Sequence, residues 1–333
     1  GYQLQLAGSQ SALSMRGWPS VKEKQTVRLR DRSMCKLIRR MAAERPMGII
    51  GMVILLVLFI TAVFANQLAP YEMNQIDLLH MLDGATPAHP LGTDNLGRDI
   101  LSNIIYGARI SVIIGFAATA VMLLIAVLIG TSSAVLGGAY DMVVQRFVDA
   151  WQCIPNMLVL MMAMSIVGRG TPQLILAIGI PMGISTSRVV RSAVISLRSN
   201  LYLEAADILG ASTWRIVYRH IIPNIAPILI ISAATQIGQV ILMESSMSFL
   251  GMGVPPGVPS WGSMLSQEGR AYMELVPTLA LWPGLALTLT VFGANMFGDA
   301  LRDLLDPRLK GGAGRFGKRH TRKKKEAITN EAS

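Results

Sequence analysis

Residues 47–65 read MGIIGMVILLVLFITAVFA and contain no charged side chain. A helix needs about 20 mostly apolar residues to cross a bilayer, and this run has that length. A secretory signal peptide would have a shorter apolar core, of about 7–15 residues, close to the N-terminus. Here a polar and basic segment, residues 1–46, precedes the run. We therefore interpret the run as a retained transmembrane helix.

Five further apolar runs follow the first one and are separated from each other by more polar segments. They cover residues 110–136, 147–167, 172–187, 224–250 and 276–297. Only 15% of the chain is charged, whereas a soluble domain carries about 25% charged residues. Prolines inside these runs are compatible with bilayer helices when neighbouring groups satisfy the freed carbonyls. The sequence therefore predicts an all-α membrane protein with six transmembrane helices.

The lysines and arginines lie mainly on one side of the six predicted helices. That side holds 26 of the 30 basic residues, in the segment before Pro46, at Arg146, in 188–223 and after residue 297. Cytoplasmic segments of membrane proteins carry this excess, and an even number of spans places both chain ends on one side. We therefore expect both termini to be cytoplasmic.

The expected organisation follows from these spans and from their orientation. It comprises a basic cytoplasmic tail 1–46, a membrane domain 47–300 with external loops 66–109 and 251–275 and a cytoplasmic loop 188–223, and a basic cytoplasmic tail 301–333. The basic run GKRHTRKKKEA in the C-terminal tail is expected to lie near anionic lipid headgroups. No aromatic residues interleave it, and we expect no nucleic-acid partner.

Several chemistries are absent from the sequence. The closest match to a phosphate-binding loop, GAGRFGKR at 312–319, has Arg319 where a magnesium-binding hydroxyl is needed. Cys35 and Cys153 form no metal-binding spacing, and no nucleophile–base pair can be assembled. We expect no catalytic residue, no metal site and no cofactor in this chain.

Glu244 is the most isolated ionisable residue inside the predicted spans. A charge in the bilayer is costly, so the residue is a candidate for the translocation path. An interhelical hydrogen bond that fixes the packing is an equally good interpretation. Asp149 lies near Arg146 at a cytoplasmic helix end, where an interfacial ion pair is expected. An ion-coupled secondary transporter, as an alternative function, would have only Glu244 and Asp149 for its coupling site.

The cytoplasmic stretch EAADILGASTWRIVYRHIIPN, residues 204–224, predicts two short helices on either side of Gly210. Glycine permits a left-handed turn that ends the first helix, and Ser212 or Thr213 can cap the second. Pro223 either stops the second helix or lies in the first turn of the next span. From local chemistry alone, an amphipathic loop at the membrane surface is an equally good interpretation.

The same stretch resembles the EAA motif of bacterial ABC importer permeases, E-A-A-x3-G-x9-I-x-L-P. His220 and Ile222 depart from the generic pattern, but RHIIPN is similar to the form found in the peptide/nickel branch. Two other segments resemble that branch, HPLGTDNLGRDILSNIIYGARISV (89–112) and MESSMSFLGMGVPPGVPSWGSML (243–265). Asn103 stands where the pattern has arginine, and Met247 where it has leucine. The resemblance spans about residues 36–311 and is to the "C" permeases of dipeptide/oligopeptide systems.

The resemblance implies a type I ABC importer permease in a bacterial plasma (inner) membrane. A second, different permease would complete the translocation path, ATP-binding subunits would bind ATP and magnesium, and a solute-binding protein would dock outside. Dipeptides or oligopeptides are the expected substrates, with nickel complexes or glutathione as alternatives. The residues expected to couple the chain to the ATPase are Glu204, Ala205, Ala206, Asp207, Gly210 and Pro223.

The resemblance also supports an external element in LGTDNLGRD, residues 91–99, near the face where the binding protein would dock. Its turn residues and mixed charges favour a folded element, and an ordinary structured loop is the alternative. The residues assigned to it are Gly92, Thr93, Asp94, Gly97, Arg98 and Asp99.

Overall fold

The computed structural model describes residues 39, 41, 43–266, 271–272 and 274–305, except for the side chains of residues 204–207. This part of the chain is helical, and its one β feature is an isolated bridge between Thr93 and Asp99. Most of the predicted tails 1–46 and 301–333 lies outside it. The helices are α1 (Pro46–Val63), α2 (Ala65–Leu68), α3 (Ile100–Leu136), α4 (Gly138–Gln152), α5 (Asn156–Val167), α6 (Thr171–Arg198), α7 (Leu201–Ile208), α8 (Thr213–Ile216), α9 (Ile222–Phe249), α10 (Trp261–Met264) and α11 (Thr278–Leu305).

Among the described residues, five helices are long and apolar enough to cross a membrane. They are α1, α3, α6, the continuous run Thr213–Phe249 that contains α9, and α11. Helices α4 and α5 pass the same test only together, so the number rises to six when this pair is counted as one span. The predicted all-α membrane fold is confirmed.

The predicted span 147–167 is not one straight helix. Helices α4 and α5 meet at an angle of 88°. The break lies at Cys153–Pro155, where Pro155 has no N–H to donate and disfavours a helical conformation at the preceding residue. The polar half of the predicted span therefore belongs to a separate amphipathic helix, α4.

Two predicted loops are shorter than the sequence suggested, because helices α3 and α6 extend into them. Helix α3 begins at Ile100 instead of residue 110, because the Asp99 side chain caps its first turn. Helix α6 continues to Arg198 instead of ending at residue 187. The prolines inside α6, α9 and α11 do not interrupt these helices, and they are Pro181, Pro227 and Pro283.

The most extensive helix–helix contact joins α3 and α6. Gly183 on α6 lies against α3 so closely that a Cβ atom there would be 2.6 Å from Ile125 Cβ and 2.8 Å from the Met122 carbonyl oxygen. Gly130 on α3 makes the reciprocal contact, with the Ser187 carbonyl oxygen 2.5 Å from its Cβ position. Small residues allow membrane helices to approach closely, which is where much of their packing energy arises.

The remaining long helices pack around this pair. Helix α11 contacts α1 and α9, and α9 contacts α3. Short helix α10 is fixed to α3 by the buried Trp261, whose indole Nε1 donates to the Ile104 carbonyl oxygen at 3.1 Å. Because α10 also contacts α9 and α11, it joins three long helices at one end of the molecule.

We predict that Gly183→Ala destabilises the protein, because the added methyl group cannot fit between α6 and α3. Overpacking of this kind costs about 1–3 kcal/mol. The matched control is Gly284→Ala on α11, where the nearest atom to a Cβ would be Leu265 Cδ2 at 4.0 Å. Thermal unfolding of both variants in detergent should show a lower Tm for Gly183→Ala alone. Equal Tm values would contradict the close packing.

Candidate coupling site and external loop

The predicted pair of short helices around Gly210 is confirmed. Helix α7 ends at Ile208, and Gly210 adopts a left-handed conformation with a φ of +77°. The Ser212 side chain caps α8 by accepting from the Arg215 N–H at 3.4 Å. No heavy atom lies within 4 Å of the Gly210 Cβ position, so the backbone angle alone favours glycine there.

Pro223 lies in the first turn of α9 and does not end the preceding helix. Between α8 and α9 the chain forms one π-helical turn, Val217–Ile221, in which Ile222 N–H donates to the Val217 carbonyl oxygen. Such a turn accommodates proline because it relieves the clash with the preceding turn. Asn224 Nδ2 donates to the His220 carbonyl oxygen at 2.6 Å. Helices α8 and α9 therefore form a continuous rod.

Five large apolar side chains of this loop are between 69% and 85% exposed. We call them the coupling patch, and they are Leu201, Ile208, Leu209, Trp214 and Tyr218. Trp214 and Tyr218 are four residues apart and therefore lie on one helix face. A cluster of exposed large apolar and aromatic side chains marks an interaction surface. The sequence alone did not single out this patch.

The other predicted coupling residues lie in α7. Glu204, Ala205, Ala206 and Asp207 belong to its backbone, and their side chains lie outside the described part of the chain. Their assigned role stays a prediction. Among its described neighbours, Leu203 is buried, so one face of α7 is anchored on the protein.

Arginines near the end of α6 attach the loop to the helices beside it. Arg198 donates to the Ala134 and Val135 carbonyl oxygens at 2.7 and 3.0 Å, and so satisfies the C-terminus of α3. Arg191 Nε donates to Asp141 Oδ1 on α4 at 2.7 Å. Helix α7 begins at Leu201, so these contacts lie directly beside it.

The predicted Arg146–Asp149 pair is present, with Arg146 Nη1 and Asp149 Oδ2 3.7 Å apart. Asp149 also accepts a hydrogen bond from Arg188 on α6, which sequence reasoning missed. The two residues are far apart in the chain, and no local spacing signals the contact. Together with the Arg191–Asp141 pair, it fixes α4 to α6 at two points.

The external element is a tightly bonded turn. Asp94 Oδ1 accepts from the Leu96 and Arg98 N–H groups at 2.8 and 2.9 Å, and Asp94 Oδ2 accepts from Arg98 Nε at 2.7 Å. The Thr93 hydroxyl is fully buried and donates to the His80 carbonyl oxygen. Gly97 has a φ of +72°, and the Asp77 carbonyl oxygen occupies the space that a side chain would need.

Asp99 connects this turn to α3. Its Oδ2 accepts from the Ser102 N–H at 2.8 Å and from the Ser102 hydroxyl at 2.7 Å, and its Oδ1 lies 3.1 Å from His89 Nδ1. The His89 ring stacks on Tyr71 with 4.7 Å between centroids. Nearby, the Asp83 carboxylate accepts a hydrogen bond from His80 Nδ1 at 2.8 Å, and this raises the pKa of the His80 imidazole above its usual value.

None of the six residues assigned to the external element is exposed, although direct docking would need an accessible side chain. Their observed contacts shape the loop and hold it on α3. The exposed apolar residues of this region lie just before them and include Leu78 and Leu79. Docking of a partner on this loop stays a prediction.

Glu244 is fully buried on α9. It accepts from the Ser248 hydroxyl at 2.8 Å and from the Ser245 hydroxyl at 3.2 Å within its own helix, and the Ser260 side chain just before α10 is a further hydrogen-bond partner. The Ser248 hydroxyl in turn accepts from the Val254 N–H at 3.4 Å. Glu244 therefore supports the loop after α9 through Ser248, and a role in the translocation path stays a prediction.

Two family models match the chain. The family described as the binding-protein-dependent transport system inner membrane component matches residues 126–311, and the N-terminal TM domain of oligopeptide transport permease C matches residues 33–87. The chain belongs to the family of binding-protein-dependent transport system inner membrane components. The resemblance to ABC importer permeases is thereby confirmed.

Curated relatives cover most of the chain. It is 36% identical over 277 residues to the glutathione transport system permease protein GsiD of Pectobacterium atrosepticum, covering 82% of this chain and 90% of that protein. It is 34% identical over 267 residues to the oligopeptide transport system permease protein OppC of Bacillus subtilis, covering 80% and 87%. It is 35% identical over 267 residues to the dipeptide transport system permease protein DppC of Alkalihalophilus pseudofirmus, covering 80% and 88%.

Family membership settles the general role of the chain. It is a multi-pass inner-membrane permease of an ABC importer with the type I permease fold, and it is not an enzyme. A permease of this family works with ATPase and substrate-binding partners. The absence of a phosphate-binding loop in the sequence agrees with this division of labour.

We predict that Asp99→Ala lowers the free energy of unfolding, because it removes the cap of α3 and leaves the buried His89 without its carboxylate. Loss of a helix cap costs about 1–2 kcal/mol. Glu72→Ala is the control, because Glu72 is exposed and its side chain makes no hydrogen bond within the described part of the chain. Thermal unfolding should separate the two variants. An unchanged Tm for Asp99→Ala would contradict the structural role of Asp99.

Proposed function

We propose that the chain imports short peptides, as one of two different permease subunits that together enclose the translocation path. The names of the relatives support peptide-type substrates, since they include dipeptide, oligopeptide and glutathione permeases. Glutathione is itself a small peptide, so it falls within the proposed substrate class.

The coupling patch is the observation that carries this proposal. Five exposed apolar side chains at the end of a membrane protein need a partner surface, and the helix–turn–helix around Gly210 presents them. We propose that an ATP-binding subunit covers this patch and that Glu204, Ala205, Ala206, Asp207, Gly210 and Pro223 lie at or next to the contact. ATP and magnesium would be held by that subunit, and the permease would receive only mechanical work.

The orientation of the chain in the membrane follows from the proposed contact between the coupling patch and an ATP-binding subunit. With the coupling loop in the cytoplasm, the arginines of α6 and both termini lie on the cytoplasmic side, in agreement with the positive-inside rule. The turn at 91–99 and the loop after α9 then lie outside. A solute-binding protein would dock there, through exposed residues of the loop that the buried turn holds in place.

Reconstitution tests the proposed function directly. The chain is assembled in proteoliposomes with the second permease, the ATP-binding subunits and the solute-binding protein, and uptake of a labelled dipeptide is measured. Uptake should need hydrolysable ATP and both permeases. Equal uptake with a non-hydrolysable ATP analogue would contradict an ATP-driven importer.

We predict that Gly210→Pro abolishes ATP-driven uptake, because proline fixes φ near −65° and cannot adopt the left-handed conformation found here. Gly210→Asn is the matched control, because asparagine tolerates positive φ better than other residues with side chains, and it should retain most of the uptake. Membrane insertion of both variants is checked by their yield in the membrane fraction. Full uptake by Gly210→Pro would rule out a coupling role for this turn.

Glu204→Lys provides a second, independent test of the coupling site. Reversal of the charge on α7 should abolish uptake and release the ATP-binding subunits during co-purification, while the six spans still insert. Retention of both the subunits and the uptake would remove Glu204 from the contact.

A further inference from the structure

A cavity of about 490 Å³ opens at the end of the molecule opposite to the coupling patch. It lies between the turn that precedes α3 and the loop that follows α9. Its size falls within the range of small-ligand sites, about 300–1,000 Å³. Residues on its wall include Asn74, Asn95, Asn103, Arg169, Val254 and Pro255.

Asn103 is the first indication that the cavity receives a ligand. Asn103 is 5% exposed and lines the cavity from the first turn of α3. Its backbone N–H donates to the Asp99 carbonyl oxygen at 3.1 Å, but its side-chain amide makes no hydrogen bond within the described part of the chain. Neither atom of this amide is fully buried, so the group is open to the cavity that it lines. A ligand with both a donor and an acceptor would satisfy this amide.

Asn95 lies on the adjoining wall. Its Oδ1 atom is fully enclosed and has no hydrogen-bond partner among the described residues, so a ligand in the cavity would meet the amide of Asn103 and not this oxygen. A peptide unit has the complementary groups, since it offers one N–H donor and one carbonyl acceptor.

Arg169 supplies a positive charge to the same cavity. It lies in the loop between α5 and α6, and its Nη2 atom is 3.8 Å from the Cβ position of Gly251. Its guanidinium forms no ion pair within the described residues, whereas the other arginine on the wall, Arg98, donates to Asp94 at 2.7 Å. A guanidinium presents two parallel N–H donors, which match a carboxylate.

We propose that this cavity binds the carboxylate end of a short peptide on its way into the translocation path. Arg169 pairs with the terminal carboxylate, and the side-chain amide of Asn103 bonds the adjacent peptide unit. The inference rests on the proposed function and names a substrate subsite for it.

The neutral amide at position 103 suits a peptide unit and not a second anion. Asn103 stands where the family pattern has arginine, and among the described residues the cavity wall carries one arginine, Arg169, that makes no ion pair with a carboxylate. The partly apolar wall at Val254 and Pro255 suits the side chains of a short peptide. A carboxylate of the docked binding protein is the competing source of the same charge, and the experiment separates the two.

The test uses the assembled permease–ATPase complex in nanodiscs, without the solute-binding protein, and equilibrium dialysis with labelled alanyl-alanine. Alanyl-alanine should bind saturably, and its C-terminal amide should bind about ten-fold more weakly, because the amide cannot form the charge-assisted pair with Arg169. Arg169→Gln should weaken the binding of alanyl-alanine about ten-fold, so that alanyl-alanine and its C-terminal amide bind with similar affinity. Arg146→Gln, at a residue 81% exposed at the other end of the molecule, is the matched control and should leave both affinities unchanged.

Asn103→Leu provides a second readout with a different signature. The substitution keeps the size of the side chain but removes its amide group. It should therefore lower the affinity for alanyl-alanine and the affinity for the C-terminally amidated ligand by the same factor. Size-exclusion elution of each variant checks that the complex is intact. Because Arg169 is exposed, its substitution tests the proposal even where Asn103→Leu fails to assemble.

Four results would overturn the proposal. The first is uptake that persists unchanged in Arg169→Gln. The others are no saturable binding of alanyl-alanine, equal binding by wild type and Arg169→Gln, and an Arg169→Gln variant that loses affinity for the solute-binding protein alone. The last result would assign Arg169 to docking. Alanyl-alanine binding that depends on Arg169 supports the assignment of the cavity as a ligand site, even if the complex shows no ATP-driven uptake. The lack of uptake would then count against the proposed function only. Uptake that persists unchanged in Arg169→Gln would count against the cavity only.

Discussion

The close contact of α3 with α6 is the interaction on which the rest of the molecule depends. Lipid is as apolar as a leucine side chain, so helices in a bilayer gain little from burying apolar surface and gain more from close packing. Gly130 and Gly183 make that packing possible, and each would collide with the opposite helix if it carried a side chain. Arg198 then joins the end of α6 to the end of α3, and Arg191 adds α4. The coupling loop therefore leaves from a rigid base.

Helix α3 also connects the two ends of the protein. Its 37 residues extend over about 56 Å, from the Asp99 cap on one side to the carbonyls that accept from Arg198 on the other. Polar residues around its start, among them Asp99 and Ser102, are buried and bonded to each other, although the sequence suggested a docking surface there. Burial of this kind is costly unless every group finds a partner, and here the partners hold the loop in one conformation. The turn therefore serves to position the exposed loop and one wall of the cavity.

The sequence predicted the number and order of the spans because hydropathy follows directly from the cost of placing polar groups in lipid. It also predicted the turn at Gly210, because a left-handed residue before a capping serine has a local signature. It did not predict the bend at Pro155, since proline is compatible with both a bent and a continuous bilayer helix. The Arg188–Asp149 and Arg191–Asp141 pairs join distant segments and have no local pattern. The cavity was missed for the same reason, because its walls come from five separated segments.

The continuity of α8 with α9 links the coupling patch to the cavity. Helix α8 carries Trp214, and the π-helical turn at Val217–Ile221 lets the rod pass Pro223 without a break. The rod ends at Phe249, and the residues just after it form one wall of the cavity. Gly210, by contrast, separates α7 from this rod by a left-handed turn. A displacement of α8 by an ATP-binding subunit would therefore be carried along α9 to the cavity wall, while α7 transmits its own displacement to α6. Under the proposed coupling role, the two helices of this loop would act on different parts of the permease, with the left-handed turn at Gly210 between them.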